Sequence, residues 1–277
     1  MKANLLLSAL VSGAAAKSIA PPGPPVQHIF SNPPEEHGEW YKLPTVRESA
    51  AMARKILHLT TLGTLVTRFP GPSSAGEVDL QDSRPANVAG DGVGLMEYYA
   101  DCDPHTGNPI MLAIDIATPF RNYKQGSNIS LSVRWWPERK KTYSSLFWSP
   151  SDEEEGIPTP HTPAALPRFS LHGHLVDVSP NRSDYDRIQK CFLRSHPDSI
   201  YWQPGNEVSH ASHYVQLVVE HVFWFGGFGD RARIQWLPVE EWRNVSMKEA
   251  FEARLPGEHK KKKTSCTSDK SWWRNWL

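Results

Sequence analysis

Short segments in which apolar and polar residues alternate recur between residues 64 and 237, and this pattern constrains the fold more than any other feature. Alternation with a period of two places apolar side chains on one face of a β-strand and polar ones on the other. Strands with one solvated face are typical of antiparallel sheets, because parallel sheets are buried on both faces. We predict strands over residues 64–69, 110–117, 128–136, 168–178, 213–225 and 231–237.

The first helix is predicted directly before the first strand. Thr45 and Glu48 form a capping box, in which the threonine hydroxyl accepts from the N3 amide and the glutamate reaches back to the N-cap amide. Gly63 marks the C-terminal stop of this helix. Its apolar face is formed by Met52, Ile56 and Leu59.

Two further helices are predicted, and each follows a strand. In the short one, Thr118 is the N-cap, Pro119 is the first helical residue and Gly126 lies just past the end. The other begins at Ser179 and Pro180. Its apolar residues at helical spacing are Ile188, Cys191 and Phe192.

Two strands carry a long apolar face, which indicates how the sheet packs. On the half-buried strand over 110–117 this face is formed by Ile110, Leu112, Ile114 and Ile116. On the longest strand it is formed by Val215, Leu217, Val219, His221, Phe223 and Phe225. Many strands and few helices predict a fold that is mainly β with a few helices (α+β). Closing or half-closing an antiparallel sheet into a barrel removes its exposed edges.

The chain divides into segments of different composition. Residues 1–16 combine a basic start, an apolar run too short to span a bilayer and small residues before the cleavage point, as in a signal peptide. A Pro-rich linker over 17–44 precedes the folded domain at 45–250, which contains a disordered, solvated insertion at 137–166. The polar, basic tail at 251–277 includes a run of four lysines at 260–263 and three tryptophans, which either attach to an anionic membrane surface or remain solvated.

In a secreted chain, sequons are candidate glycosylation sites and cysteines are able to form disulfides. Sequons for N-glycosylation occur at Asn128, Asn181 and Asn244. The chain has 3 cysteines, so an oxidising compartment allows at most one intramolecular disulfide. Cys102 and Cys191 are the natural pair, because Cys266 lies in the tail. The alternative is that all three cysteines are unpaired.

Several function classes are disfavoured by charge and spacing. Lys+Arg and Asp+Glu both number 30, whereas a dedicated nucleic-acid binder normally shows a basic excess. No segment after the signal peptide is apolar for long enough to predict a membrane span. The chain has no Gly-x-Ser-x-Gly elbow and no Walker loop, so no catalytic set is identifiable. We predict no metal site either, because these histidines lack zinc-type spacing: His172, His174, His210 and His213.

The short helix that begins at Thr118 is the most informative segment for function. Its start presents free amides and the positive end of a dipole, and Arg121 and Lys124 follow one turn apart. The two cations either close around a phosphate or simply solvate the helix surface.

At this segment the chain resembles a known family. Residues 110–133 look like the strand–helix–strand of the pyridoxamine 5'-phosphate oxidase-like, FMN-binding split β-barrels. The motifs at 191–197, Cys-Phe-Leu-Arg-Ser-His-Pro, and at 226–232, Gly-Gly-Phe-Gly-Asp-Arg-Ala, resemble the CREG-like branch and its bacterial haem-utilisation relatives. The resemblance covers roughly residues 46–247.

The resemblance implies an antiparallel split β-barrel that forms a homodimer. In flavin-binding members, FMN lies at the dimer interface with its phosphate around the short helix. Carried over to this chain, the phosphate contacts are Thr118, Arg121, Asn122 and Lys124, with Arg68 as a weaker one. CREG-like members, by contrast, are secreted or endolysosomal glycoproteins that are regarded as lacking a usable flavin site.

Three functions follow from the resemblance. The first is a secreted or endolysosomal/vacuolar glycoprotein with a binding or regulatory role. The alternative is an FMN-dependent oxidoreductase that acts on a small molecule. Haem binding is the third and follows only from the bacterial relatives.

Overall fold

The structure is a computed structural model that describes residues 43–71, 84–137, 163–206, 210–227, 232–256 and 258. Its helices are α1 (Val46–Leu59), α2 (Thr118–Lys124), α3 (Tyr185–Ser195), α4 (Val239–Arg243) and α5 (Met247–Glu252). Its strands are β1 (Leu62–Arg68), β2 (Gly92–Ala100), β3 (Ile110–Ile114), β4 (Ile129–Arg134), β5 (Arg168–Asp177), β6 (Ser212–Phe225) and β7 (Ile234–Leu237).

The strands form one antiparallel sheet that closes on itself. Neighbouring strands follow the order β3-β2-β1-β4-β5-β6-β7, and an additional pairing of β3 with β6 closes six of them into a barrel. The β7 strand pairs with β6 outside this ring. The prediction of a mainly β, antiparallel split barrel with a few helices is confirmed. The strand β2 was not predicted, because its two glycines contribute no side chain to the alternating pattern.

A bulge between β5 and β6 changes which side chains of β6 face the core. His172 pairs with His221, but Gly173 pairs with Val219, so Glu220 has no partner across the ladder. Val219 is buried before the bulge, whereas Val222 and Trp224 are buried after it. The predicted single apolar face was therefore wrong beyond Val219. His221, Phe223 and Phe225 lie on the outside of the barrel.

Helix α1 begins as predicted and ends earlier. The Thr45 side chain accepts from the Glu48 amide, and the Glu48 side chain accepts from the Thr45 amide. The helix ends with Thr60 as its C-cap, so Gly63 lies in β1 and the predicted stop was wrong. Of the predicted apolar face, Ile56 is buried and Leu59 is 48% exposed. The buried face instead contains the small residues Ala50 and Ala53.

The β3 strand is buried on both faces rather than half-buried. Met111 and Ala113 face the main core inside the barrel. Ile110 and Leu112 face a smaller second core beneath α3. Because α3 covers the outer face of β3, that strand has no solvated side. Ile116, predicted on the same face, follows the strand and is 54% exposed.

The packed part of the chain extends past the predicted boundary at residue 250. The helices α4 and α5 were not predicted, and both pack against α1. Leu255 is fully buried, and Lys55 forms a salt bridge of 2.7 Å with Glu258. The side chain of Trp135 donates to the Pro256 carbonyl oxygen at 2.7 Å. The segment that follows α5 therefore packs on the barrel, since burial and hydrogen bonds hold it there.

Other predictions fall wholly or partly outside the described residues. These are the signal peptide and linker, residues 228–231 of the motif at 226–232, most of the insertion at 137–166, and the tail from 259 onward. At the end of the insertion, Pro163–Ala165 forms a 3-10 turn and Leu166 is buried, so this part is structured. Helix α3 starts at Tyr185, later than the predicted start at Ser179. None of the described helices combines the length and apolar composition that crossing a bilayer requires.

Candidate functional site

Helix α2 connects β3 to β4 and carries four of the five residues predicted to bind a phosphate. Its N-cap is Ala117, which offers no side-chain cap, so Thr118 is the first helical residue rather than the predicted N-cap. Gly126 follows the helix with φ of +93°, which supports the predicted role of a glycine just past the end. The structure thus brings Thr118, Arg121 and Lys124 together on one short helix.

Asn122 has a structural contact within the barrel. Its side chain is buried, and its Nδ2 donates to the Oγ1 of Thr67 at 3.1 Å. Thr67 is itself 1% exposed and lies on β1. This hydrogen bond ties α2 to the barrel wall, so the amide points into the protein rather than toward a ligand.

Lys124 is paired with a carboxylate next to the start of its own helix. Its Nζ lies 2.6 Å from the Oδ1 of Asp115, which follows the end of β3. The hydrogen bond from Lys124 lowers the pKa of Asp115, so this carboxyl group stays ionised. His213 of β6 lies 3.5 Å from the same oxygen. Asp115 is absent from the residues predicted for the site, although its place between a strand and a helix is visible in the sequence.

Arg68 lies beside this helix at the end of β1. Its amide donates to the Ser127 side chain at 2.8 Å, which joins β1 to the turn after α2. Its Nε donates to the Gly90 carbonyl oxygen at 3.1 Å. Three of the five predicted phosphate ligands, Arg68, Asn122 and Lys124, therefore already make hydrogen bonds within the protein.

The residues around α2 do not fit the phosphate of FMN. An ionised carboxylate lies beside the cation that the phosphate would need, and two negative groups at that distance repel each other. The Asn122 amide is unable to turn outward without leaving the buried Thr67 hydroxyl unpaired. We therefore derive no chemistry through a flavin at this helix.

A row of side chains crosses the outer face of the sheet from β2 to β7. The register pairs each member with the next across six strands. We call this the outer row: Met96, Thr64, Ser132, Ser170, Phe223 and Trp236. Its ends are large and exposed, with Met96 at 62% and Trp236 at 57%, whereas its middle consists of hydroxyl side chains.

Histidines lie next to the outer row and contact its aromatic end. The rings of His172 and Trp236 have centroids 5.3 Å apart, and those of His221 and Trp236 are 6.3 Å apart. Burial first, and then the charge of His221, lowers the pKa of His172. His172 therefore favours its neutral form, and this part of the surface is partly apolar. In the ranges that the structure covers, no group of three or more His, Cys, Asp or Glu side chains is placed to hold a metal ion.

The remaining predicted sites lie away from the barrel interior. A disulfide joins Cys102, after β2, to Cys191 on α3, with a Cα–Cα distance of 5.7 Å. The three sequon asparagines Asn128, Asn181 and Asn244 are all exposed. The disulfide is the pair expected from the sequence, and each sequon is accessible at the surface.

These features define a closed antiparallel split β-barrel with a short helix between β3 and β4. A model of the family described as CREG, beta-barrel matches residues 44–244. The chain belongs to this family. No curated protein matches the chain significantly.

Solved structures with a similar fold are distant in sequence. A haem-binding protein from Mycobacterium smegmatis is 19% identical over 72% of this chain and 60% of its own, with a TM-score of 0.44. ChuZ from Campylobacter jejuni is 13% identical over 68% and 59%, with a TM-score of 0.42. The haem storage protein HutZ from Vibrio cholerae is 12% identical over 64% and 89%, with a TM-score of 0.36. This chain spans less than two thirds of the first two proteins, and none of these similarities assigns it a ligand.

Proposed function

We propose that this chain is a CREG-like glycoprotein of the secretory pathway, located outside the cell or in a vacuole or lysosome. Its role is to bind or regulate a partner, and it does not catalyse flavin chemistry. The signal-peptide features, the exposed sequons and the disulfide all support an oxidising compartment. Membership of the CREG family supports the split-barrel scaffold on which this role would rest.

The observation that carries this proposal is the ion pair between Lys124 and Asp115 at the start of the short helix. An exposed pair of this kind contributes only about 0–1 kcal/mol to stability. The ion pair affects ligand binding more than it affects stability, because the Asp115 carboxylate adds negative charge where a flavin phosphate needs positive charge.

The test is a purification from a eukaryotic secretory host, followed by two measurements on one preparation. We expect an intact mass that begins near Lys17 and that falls on enzymatic deglycosylation, with Asn244 among the modified residues. We expect no visible absorbance band, either near 450 nm for flavin or near 400 nm for haem. Titration with FMN is expected to leave flavin fluorescence unchanged.

Different outcomes contradict different parts of this proposal. An unprocessed Met1 terminus with no mass shift would remove the chain from the secretory pathway. Saturable quenching of FMN that strengthens in the Asp115→Asn variant would favour the FMN-dependent oxidoreductase. A band near 400 nm would favour a haem-binding protein.

A homodimer is part of the same proposal, and the outer row supports it. Two exposed apolar ends around a shallow middle of hydroxyl side chains form a surface that a second copy is able to fill. Burial lowers the pKa of the flanking His172, so its neutral form is favoured and the cost of burying this end of the row falls. Stable interfaces bury roughly 1,200 Å² or more in total.

Changing Trp236 to Glu is expected to separate this dimer. Light scattering of the deglycosylated wild type should give twice the monomer mass at tens of micromolar. Because a tryptophan that becomes buried in an interface typically contributes about 2 kcal/mol or more, Trp236→Glu should raise the dissociation constant by about 30-fold or more. Tyr201→Glu is the matched control, since Tyr201 is 69% exposed and lies outside the outer row. A wild type that is monomeric would contradict the dimer, and so would equal effects of the two variants.

A further inference from the structure

Two arginines face each other on the outside of the barrel. Arg134 of β4 and Arg168 of β5 are direct partners in the antiparallel register. Their neighbours Val133 and Phe169 are paired in the same ladder and are buried, so both arginines point away from the core. Like charges directly opposite each other in a sheet are destabilising unless something compensates them.

Aromatic rings, rather than carboxylates, lie beside these guanidinium groups. The Cζ of Arg134 is 5.6 Å from the Trp136 ring centroid, and the Cζ of Arg168 is 3.9 Å from that of Phe225. Arg168 also donates from Nη1 to the Ala164 carbonyl oxygen at 3.0 Å. In the described part of the chain, neither arginine forms an ion pair.

Four other described arginines are neutralised by a carboxylate, whereas two arginines that face each other across a ladder are not. Arginines that pair with a carboxylate are Arg47, Arg182, Arg187 and Arg243. A ring accepts no N–H at its edge, whereas a carboxylate would occupy the N–H groups. Arg168 uses Nη1 for the Ala164 and Leu166 carbonyl oxygens, which leaves its other N–H groups for a ligand. The Arg134–Arg168 pair therefore holds oriented donors and an uncompensated double positive charge.

The cross-strand row continues from the arginines onto apolar side chains. Arg168 pairs with Phe225 of β6, and Phe225 pairs with Ile234 of β7. Ile234 is 42% exposed, and Trp136 at the other end is 43% exposed. Neighbouring strands lie about 4.8 Å apart, so the four residues from Arg134 to Ile234 span about 15 Å. The row is cationic at one end and apolar at the other.

We propose that this row binds an amphiphilic anion, with a phosphate or sulfate head between Arg134 and Arg168 and an apolar body along Phe225 and Ile234. The planar fork of a guanidinium matches two oxygens of such a head group, and two arginines supply both charge and direction. The strand ladder holds the arginines at a set separation, so the site requires no rearrangement. This site is separate from α2. It lies beside the outer row on the same face of the sheet, two residues further along each strand, and it does not require secretion or glycosylation of the chain.

The probe is dodecyl phosphate below its micelle concentration, titrated into the full-length glycoprotein by calorimetry. We expect saturable binding at one site per chain. Arg134→Gln should weaken it by about 10- to 150-fold, the range for a charge-assisted hydrogen bond. Arg194→Gln is the matched control, because Arg194 is an exposed arginine at the end of α3. Unchanged melting temperatures show that the variants are folded.

A second variant measures the contribution of the ligand's apolar body separately from that of its head group. Ile234→Ser keeps both arginines, so it should weaken dodecyl phosphate about 10-fold and leave inorganic phosphate unaffected. Vesicles of phosphatidylcholine with 20% phosphatidate distinguish the source of the ligand. If the protein binds both monomeric dodecyl phosphate and the vesicles, the ligand is a lipid of the membrane surface. If it binds only monomeric dodecyl phosphate, the ligand is a free amphiphile.

Four outcomes would overturn the site. Absence of dodecyl phosphate binding rejects it, and so does equal affinity for inorganic phosphate, because the apolar end would then contribute nothing. An equal loss in Arg134→Gln and Arg194→Gln would show a general effect of charge. Binding of the protein to vesicles without binding of monomeric dodecyl phosphate would show that a broad protein surface attaches to the membrane, rather than that a discrete site binds one ligand.

Discussion

Replacing Cys102 and Cys191 with serine together should lower the melting temperature by roughly 9–18 °C. The disulfide links residues 89 apart in sequence, and closing a loop of that length removes about 4.6 kcal/mol of chain entropy from the unfolded state. Each kcal/mol shifts the melting temperature of a domain of this size by about 2–4 °C. The disulfide also holds α3 over the second core, where Ile188 and Phe192 are fully buried.

Calorimetric unfolding of the oxidised wild type and of the double variant measures this effect. Cys266→Ser is the matched control, because it removes a cysteine that is outside the disulfide. We expect that variant to melt within about 1 °C of the wild type. A double variant that melts like the wild type would show that packing beneath α3, and not the disulfide, holds the two segments together.

Changing Gly173 to alanine should destabilise the protein by about 3 kcal/mol or more. Gly173 lies at the register shift between β5 and β6, and a Cβ there would overlap the Val218 carbonyl oxygen. Backbone is unable to move aside as a flexible side chain does, so the ladder must open locally. Overpacking in a well-packed region costs about 1–3 kcal/mol, and a contact with backbone falls at or above the upper end.

Denaturant unfolding of Gly173→Ala against Gly71→Ala tests this effect. A Cβ on Gly71 would meet nothing within 4 Å, so that variant should change the unfolding free energy by less than about 0.5 kcal/mol. The bulge also sets the face of every later residue of β6. Loss of the bulge should therefore expose Trp224, which a red shift in tryptophan fluorescence would report. A Gly173→Ala variant as stable as wild type would contradict the close approach of the two strands.

Features that depend only on nearby residues were predicted most accurately from the sequence. The capping box at Thr45, the glycine after α2 and the alternation of β4 depend on residues within one turn or one strand. Sequence alone also placed the barrel strands, except for β2. That strand contains Gly92 and Gly94, which contribute no side chain to the alternating pattern.

Burial was predicted less accurately, because it depends on what packs from elsewhere in the chain. The β3 strand reads as half-buried in sequence, and only the position of α3 shows that both its faces are covered. The short helices α4 and α5 are stabilised by contacts with α1, almost 200 residues earlier, rather than by their own pattern. Trp242 is fully buried by this packing, and Arg54 donates to its carbonyl oxygen at 2.9 Å.

The residues of the candidate site were in part visible in the sequence, but their roles were not. Sequence reasoning identified α2 and its cations from spacing within the helix. The partner of Lys124 is nine residues away and that of Asn122 is 55 away, so helical spacing carries no information about either. The pairing of Arg134 with Arg168 also bridges the insertion and depends on strand register.

The sequence by itself determined the class of fold, the antiparallel strands, the capping box of α1 and the family, because each depends on short-range periodicity or on a motif. Tertiary structure decided which face of β6 is buried, what Asn122 and Lys124 bond to, and where uncompensated charge gathers on the barrel. The physical reason is that a hydrogen bond or an ion pair needs two groups within about 3–4 Å. In a barrel, the register of strands that are distant in sequence sets those distances.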